Sequence, residues 1–82
     1  MNREEFIEKI NKVLAEEFEV EISDIQPDAN IKETLQLDSL SLVDMVALIE
    51  ETFGVTVKGT DIVNIKTFGA LYDFLYEKID KN

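Results

Sequence analysis

Apolar residues recur with a helical period near both ends of the 82-residue chain. In residues 3–17 they lie at offsets 0, 1, 4, 7 and 8 from Phe6, with charged residues between them. In residues 68–79 they lie at offsets 0, 3, 4, 7 and 11 from Phe68, directly after Thr67, which can cap the first turn of a helix. Each pattern places its apolar residues on one face and predicts an amphipathic helix.

Two further helices are predicted in the middle of the chain. The longer one runs from Ser39 to about Phe53 and is followed by Gly54, a residue that adopts the left-handed conformation after a helix end at no steric cost. A single helical turn is predicted at residues 60–63, with Thr60 as its candidate cap.

The remaining segments connect these helices. Residues 18–22 alternate apolar and acidic side chains as a short strand would, but no second strand is predicted to pair with it. We therefore expect its apolar residues to pack on a helical core; these are Phe18, Val20 and Ile22. Residues 23–37 hold the single proline and several Asp and Asn residues, which predicts a long ordered loop. Four apolar residues would anchor that loop: Ile25, Ile31, Leu35 and Leu37.

These elements predict an all-α fold with one domain spanning residues 1–82. We expect a small four-helix bundle with three main helices, a short third helix and a long loop between the first and second helices. A chain of this length buries roughly 60% of the surface that its unfolded form would expose. That is enough to fold, but it leaves little room for an enclosed active site.

Composition narrows the classes of function. Eighteen Asp and Glu outnumber eight Lys and Arg, the formal charge is −10, and the chain has neither Cys nor His. The negative charge disfavours nucleic acids and anionic membranes as partners and indicates proteins with basic surfaces. Without Cys or His there is no thiolate nucleophile, no Ser-His-Asp triad and no usual zinc ligand, so an enzyme is disfavoured.

Metal and membrane sites are also disfavoured. Asp24, Asp28 and Asn30 lack the ligand spacing and central glycine of an EF-hand, so no metal site is predicted. The longest apolar run, residues 45–49, is far shorter than a membrane span, and no secretory signal is recognisable. We expect a cytoplasmic monomer without stable membrane insertion.

The middle helix has two apolar faces. Helical spacing places one set of apolar residues on the side that would form the core: Leu42, Met45, Val46, Ile49 and Phe53. A second set on another side mixes apolar with acidic residues: Leu40, Val43, Asp44, Ala47, Glu50 and Glu51. This second face, hereafter the docking face, predicts transient contact with basic partners, unless the preceding loop covers Leu40 and Val43.

The segment Leu37-Asp38-Ser39-Leu40-Ser41 lies where the middle helix begins. A phosphate esterified to a serine here would meet unpaired backbone N–H groups and the positive end of the helix dipole. Asp38, Ser39 or Ser41 can equally serve as a simple N-cap, and residues 41–44 fit a capping box. Local spacing alone favours plain capping over modification.

The whole chain resembles the acyl carrier proteins and their phosphopantetheine-bearing relatives. The motif Asp38-Ser39-Leu40 opens an acidic helix, Phe53-Gly54-Val55 ends it, and chain length, helix order and charge agree. The resemblance implies a non-catalytic carrier that holds acyl groups as thioesters on a 4'-phosphopantetheine arm for enzymes of fatty-acid or related lipid or polyketide biosynthesis. It also implies a phosphopantetheinyl transferase and acyl-transferring and chain-elongating enzymes as partners.

Individual residues match the family's motif. Ser39 matches the serine that bears the arm, and Asp38 matches the neighbouring aspartate associated with recognition by the transferase. The docking face matches the family's partner-docking surface. The resemblance also implies shielding of acyl chains between the helices by residues otherwise interpreted as ordinary core: Val46, Ile49, Phe53, Ile62 and Leu71.

The chain departs from the family pattern around the motif. Ser41 and Thr52 stand where many fatty-acid carriers have acidic residues, so the docking face is less acidic than in typical carriers. This leaves open a specialised carrier of aminoacyl, aryl or polyketide cargo. A further alternative is an unmodified acidic interaction module in which Ser39 only caps the helix.

Overall fold

The computed structural model describes the backbone of residues 2–81 and the side chains of residues 2–79. Over that range it contains five helices, in chain order α1 (Arg3–Phe18), α2 (Ile31–Leu35), α3 (Ser39–Phe53), α4 (Gly59–Ile62) and α5 (Phe68–Lys81). Backbone β-pairing within these residues is limited to an isolated bridge between Asn30 and Thr67. The predicted all-α class is confirmed. No helix in this part of the chain is both long and apolar enough to cross a membrane.

The three long helices begin at the caps that the sequence provides. Asn2 Oδ1 accepts a hydrogen bond from the Glu5 N–H at 2.8 Å at the start of α1. Thr67 Oγ1 accepts from the Ala70 N–H at 3.3 Å at the start of α5. Gly54 ends α3 with φ of 66°, as its left-handed role requires. These helix boundaries are set by local capping chemistry that can be seen in the sequence.

The prediction of one long loop over residues 23–37 is wrong in part, because this segment contains the short helix α2. Asn30 Oδ1 accepts from the Glu33 N–H at 3.0 Å and caps its first turn. Gln36 ends it in the left-handed conformation, with φ of 54°. The anchoring residues Ile25, Ile31 and Leu35 are buried and Leu37 is half-buried, as expected.

Residues 18–22 form no strand. Phe18 completes α1 and packs with Val20 against the core, as expected. The expectation that Ile22 also packs there is wrong, because its side chain is 54% exposed. Ile22 begins a 3-10 turn, Ile22–Asp24, in which the Ile25 N–H donates to the Ile22 carbonyl, and this turn buries Ile25 instead.

The short helix α4 starts one residue earlier than predicted. Lys58 occupies its N-cap position and makes no side-chain capping hydrogen bond, so Thr60 lies inside the helix and does not cap it. Its buried residue, Ile62, joins the core. Burial of Ile62 therefore holds this turn against α3, since capping contributes nothing there.

Within residues 2–79, one hydrophobic cluster draws side chains from all five helices. Phe6 lies at its centre, with its ring centroid 5.0 Å from that of Phe53 and 5.7 Å from that of Tyr76. The fully buried side chains include Phe6, Ile10, Leu14, Met45, Ile49, Phe68, Leu71 and Leu75. At the edge of the cluster the Tyr72 hydroxyl donates to Asn11 Oδ1. Burial raises the pKa of Tyr72, which keeps the hydroxyl neutral as a donor.

Backbone hydrogen bonds join the residues at and just before the start of α2 to those at and just before the start of α5. The Gly69 N–H donates to the Pro27 carbonyl at 2.8 Å, and the Ile31 N–H donates to the Lys66 carbonyl at 2.9 Å. A Cβ at residue 69 would lie 3.0 Å from the Pro27 oxygen, a tight contact that favours glycine at this position. These hydrogen bonds hold α2 in place, and α2 leads directly into the start of α3.

Candidate functional site

The structure decides which residue caps α3. Asp38 is the N-cap, and its Oδ1 accepts from the Ser41 N–H at 2.8 Å. This backbone hydrogen bond, together with one from the Ser41 hydroxyl, holds the pKa of Asp38 below its usual value. The capping-box interpretation of residues 41–44 is wrong, because Ser41 lies inside the helix. Asp38 is therefore an exposed, ionised carboxylate fixed at the helix start.

Ser39 is the first residue of α3 and is exposed. In the part of the chain that the structure describes, its hydroxyl makes no hydrogen bond. Because Asp38 already caps the helix, the alternative in which Ser39 serves only as a cap loses its structural basis. The Ser39 hydroxyl is accessible beside the positive end of the helix dipole, where a phosphate group is favoured.

The docking face is open to solvent. Leu40 is 76% exposed and Val43 is 65% exposed, so the alternative in which the preceding loop covers them is wrong. Asp44, Ala47 and Glu51 are also exposed on the same helix. The face thus presents two large apolar side chains next to two carboxylates.

Glu50 differs from the other acidic residues of the docking face. It is half-buried, and its Oε2 accepts from the Val57 N–H at 3.3 Å. The hydrogen bond ties α3 to the segment that leads into α4. Part of the Glu50 carboxylate is therefore engaged within the fold, a role that helical spacing alone did not indicate.

A groove of about 400 Å³, open along one side, lies between α3 and α4. One wall consists of α3 residues, namely Ser39, Leu42, Val43 and Val46. The other consists of Gly59, Thr60 and Val63, at and just after α4. The groove therefore begins at the candidate attachment residue, and its volume is within the range of about 300–1,000 Å³ typical of small-molecule sites.

The groove differs from the shielding residues that the resemblance implies. Of those five, only Val46 lines it, whereas Ile49, Ile62 and Leu71 are fully buried and Phe53 packs on Phe6. The alternative interpretation of these four as ordinary core agrees with their packing. The sequence gives no signal that Gly59, Thr60 and Val63 belong to this site, because only the packing of α4 against α3 brings them beside Ser39.

Among the residues that the structure describes, no group of three or more carboxylates is placed to hold an ion. The accessible Ser39 hydroxyl and the adjacent apolar groove instead fit a covalently attached, flexible group.

A small helical bundle that presents an exposed serine at a helix start, beside an apolar groove, has the arrangement expected of the carrier family that the sequence resembles. Comparison with known proteins agrees: residues 8–75 match the family model described as "Phosphopantetheine attachment site". The chain is 34% identical over 77 residues to the acyl carrier protein of Rubrobacter xylanophilus, covering 94% of this chain and 95% of that protein. It is 32% identical over 79 residues to the acyl carrier protein of Thermosynechococcus vestitus, covering 96% and 98%.

A third relative gives the same result. The acyl carrier protein of Thermotoga maritima is 33% identical over 78 residues, which cover 95% of this chain and 96% of that protein. The chain therefore belongs to the phosphopantetheine-bearing acyl carrier protein family, and 4'-phosphopantetheine is its cofactor. The resemblance stated from the motif is confirmed at the level of the family.

Proposed function

We propose that this protein carries acyl groups on a 4'-phosphopantetheine arm attached to Ser39, and delivers them to enzymes of fatty-acid or related lipid or polyketide biosynthesis. The observation that carries the proposal is the position of Ser39, an exposed and unbonded hydroxyl at the start of α3 that also lines the apolar groove. When bound, the arm supplies a terminal thiol, which the Cys-free chain itself lacks.

The Ser39 oxygen would bond to the phosphorus of the pantetheine phosphate in coenzyme A as the pyrophosphate bond breaks, and adenosine 3',5'-bisphosphate would leave. The Ser39 hydroxyl proton must leave to a base on the transferase, because no described neighbour in this chain accepts it. Unpaired N–H groups in the first turn of α3 would stabilise the new phosphodiester charge. The chain therefore acts as a substrate of partner enzymes and not as a catalyst.

Asp38 would present a fixed negative charge to the phosphopantetheinyl transferase. Its hydrogen bonds from Ser41 orient the carboxylate and lower its pKa, so it is ionised at neutral pH. An oriented charge beside the reacting serine gives a partner enzyme a feature to recognise without any rearrangement of the helix.

The docking face would bind the partner enzymes through mixed contacts. Leu40, Val43 and Ala47 provide exposed apolar area, and Asp44 and Glu51 provide charge. A complementary partner would have an apolar patch rimmed by Lys or Arg. Glu50 would add to this charge only in part, because its carboxylate also accepts from Val57.

A specialised carrier of aminoacyl, aryl or polyketide cargo is the second candidate. The observation that favours it is Ser41, which bonds to the Asp38 cap at a position where the family's fatty-acid carriers often have an acid. Loading assays with acyl, malonyl and aminoacyl donors would separate the two candidates. A monomeric, cytoplasmic protein remains our expectation in either case.

The test is an intact mass measurement after incubation with coenzyme A and a broad-specificity transferase. The wild-type chain should gain one arm, and Ser39→Ala should abolish the gain. Ser23→Ala, the same change at an exposed serine outside α3, is the matched control and should still be labelled. An unlabelled wild type with several transferases would instead support an unmodified interaction module.

A further inference from the structure

Two helices of this protein end on a non-glycine residue in the left-handed conformation. Glu19 follows α1 with φ of 56°, and Gln36 follows α2 with φ of 54°. Gly54 takes the same conformation after α3 without a steric penalty. A residue with a Cβ is disfavoured there, and Glu and Gln are not among the residue types enriched in this conformation. Each of these two side chains is therefore kept against an unfavourable local backbone energy.

The backbone hydrogen bonds do not explain why α2 ends on glutamine. The N–H groups of Gln36 and Leu37 both donate to the Lys32 carbonyl. At the end of α1, the N–H groups of Glu19 and of the residue after it donate to the Ala15 carbonyl in the same way. Neither arrangement uses a side chain, so glycine would make the same hydrogen bonds at either position.

The Gln36 side chain is exposed, and its amide makes no hydrogen bond within residues 2–79. The backbone on both sides of it is held in place, by the 3.0 Å hydrogen bond from the Leu37 N–H to α2 and by the Asp38 cap of α3. Three residues span at most about 11 Å, so Gln36 lies within that distance of Ser39. The chain thus presents an unpaired neutral amide on a fixed backbone beside the attachment residue.

An enzyme that acts on the Ser39 oxygen covers this amide. A protein interface covers roughly 800 Å² of each partner, which corresponds to a disc about 16 Å in radius. A disc of that size centred on Ser39 includes Gln36. The phosphopantetheinyl transferase must approach Ser39 itself, whereas enzymes that receive cargo meet the far end of the arm. The transferase is therefore the partner that the position of Gln36 fits best.

We propose that Gln36 is a recognition residue for the phosphopantetheinyl transferase, and that its amide exchanges hydrogen bonds with backbone or side-chain amide groups of that enzyme. The proposal rests on attachment of the arm at Ser39. A neutral amide both donates and accepts, so it suits a partner amide, whereas the Asp38 carboxylate only accepts and suits Lys or Arg. Gln36 thus adds a contact of a different chemical kind to the charge of Asp38.

The test measures KM and kcat of the transferase for the wild type, Gln36→Gly and Gln36→Met, with intact mass as the readout. Both variants lack the amide, but glycine relieves the left-handed backbone whereas methionine, of similar length, does not. Both should raise KM about fivefold, the effect of one neutral hydrogen bond, and leave kcat unchanged. The melting temperature of Gln36→Gly should equal or exceed that of the wild type. A purely structural role would not weaken recognition in a variant that is no less stable.

Glu19→Gly is the matched control, because it relieves the same backbone conformation at the end of α1, a helix that packs on α5. Its melting temperature should also be no lower than that of the wild type, and its KM should stay within about twofold of the wild-type value. Measurement in about 0.15 M salt screens the charge that this variant loses.

A wild-type KM in either Gln36 variant would overturn the proposal and leave attachment at Ser39 intact, because the amide would then be dispensable. An equal rise in KM for Glu19→Gly would also overturn it, since relief of the backbone would then be the cause. If several transferases leave the wild type unlabelled, the proposed function fails together with this role, and the mass alone distinguishes that outcome from the others.

Discussion

The two flanks of this small bundle use similar residues in opposite ways. On the flank formed by α1 and α5, apolar side chains such as Leu14 and Leu75 are completely buried, and polar pairs close the edge: Tyr72 with Asn11 and Arg3 with Asp73. On the flank formed by α3 and α4, Leu40, Val43 and Val63 remain exposed beside an open groove. Fully buried side chains of α3 and α4, such as Met45, Ile49 and Ile62, also contribute to the core, but the outer side of this flank stays accessible to solvent.

This difference explains how a chain of 82 residues can both fold and bind. Domains of this size have a free energy of unfolding of only about 4–12 kcal/mol, so exposing large apolar residues is costly unless the rest of the core compensates. The Phe6 cluster, which joins α1, α3 and α5, provides that compensation. The groove and docking face are therefore features that the fold tolerates and does not need.

One substitution on each flank tests how differently the two flanks contribute to stability. Leu14→Ala, in the closed flank, should lower the free energy of unfolding by about 2–5 kcal/mol, because it leaves a cavity in a fully buried site. Leu40→Ala, in the open flank, should change it by no more than about 0.5 kcal/mol. Urea titration followed by circular dichroism measures both. Equal losses would show that the open flank also supports the fold.

A smaller effect, on rate alone, is expected from charge reversal on the docking face. Asp44→Lys combined with Glu51→Lys should slow transfer of the arm by about tenfold at low salt, because steering toward a basic partner is lost. The rate is measured by stopping the transfer reaction at set times and determining the intact mass. Added salt should reduce the difference in rate between the double variant and the wild type.

The matched control reverses two exposed acids of α1, Glu8 and Glu16, to Lys. It makes the same change in net charge away from the docking face and should retain most of the wild-type rate. If both double variants are slowed equally, net charge matters and the docking face has been misplaced.

The smallest effect concerns the cap of α3 and depends on pH. Hydrogen bonds from Ser41 hold the folded-state pKa of Asp38 below that of an unfolded aspartate, so its carboxylate stabilises the fold above the unfolded pKa and loses this contribution as pH falls through the folded pKa. Asp38→Ala should therefore lower the melting temperature at pH 7 by less than Leu14→Ala does, and the gap to wild type should narrow at acidic pH.

Asp38→Asn separates capping from charge. Asparagine caps helices about as well as aspartate, so this variant should melt close to wild type at pH 7 while losing the acid dependence attributed to Asp38. If the difference in melting temperature between either Asp38 variant and the wild type stays constant below pH 4, ionisation of Asp38 contributes nothing to stability.

The sequence predicted the closed flank far better than the open one. The buried stripes of α1 and α5, the Thr67 cap and the Gly54 end follow from local spacing and capping chemistry. The short helix α2 was missed because its five residues are too few to show a period, although Asn30 followed by Glu33 is a cap signal that could have revealed it.

The structure of the open flank depends on how its helices pack against each other. The spacing of residues along the sequence does not determine that packing. The groove forms where α4 packs against α3, so Gly59 and Val63 gave no signal of their own in the sequence. Ile22 was misplaced because a 3-10 turn changes the direction in which successive side chains point. The motif alone leads to the proposal of Ser39 as the attachment residue, whereas only the hydrogen bond that Asp38 accepts shows that Ser39 is not the helix cap.

The contact between Gly69 and Pro27 also determines where this protein can be redesigned. Because the contact joins backbone atoms, it restricts the side chain at residue 69. It does not depend on which side chains surround Pro27. We therefore expect that exposed neighbours such as Ser23 and Asp28 can be substituted without disturbing the packing of α5. That loop is a suitable place for a spectroscopic label that reports on the carrier without touching its groove or its docking face.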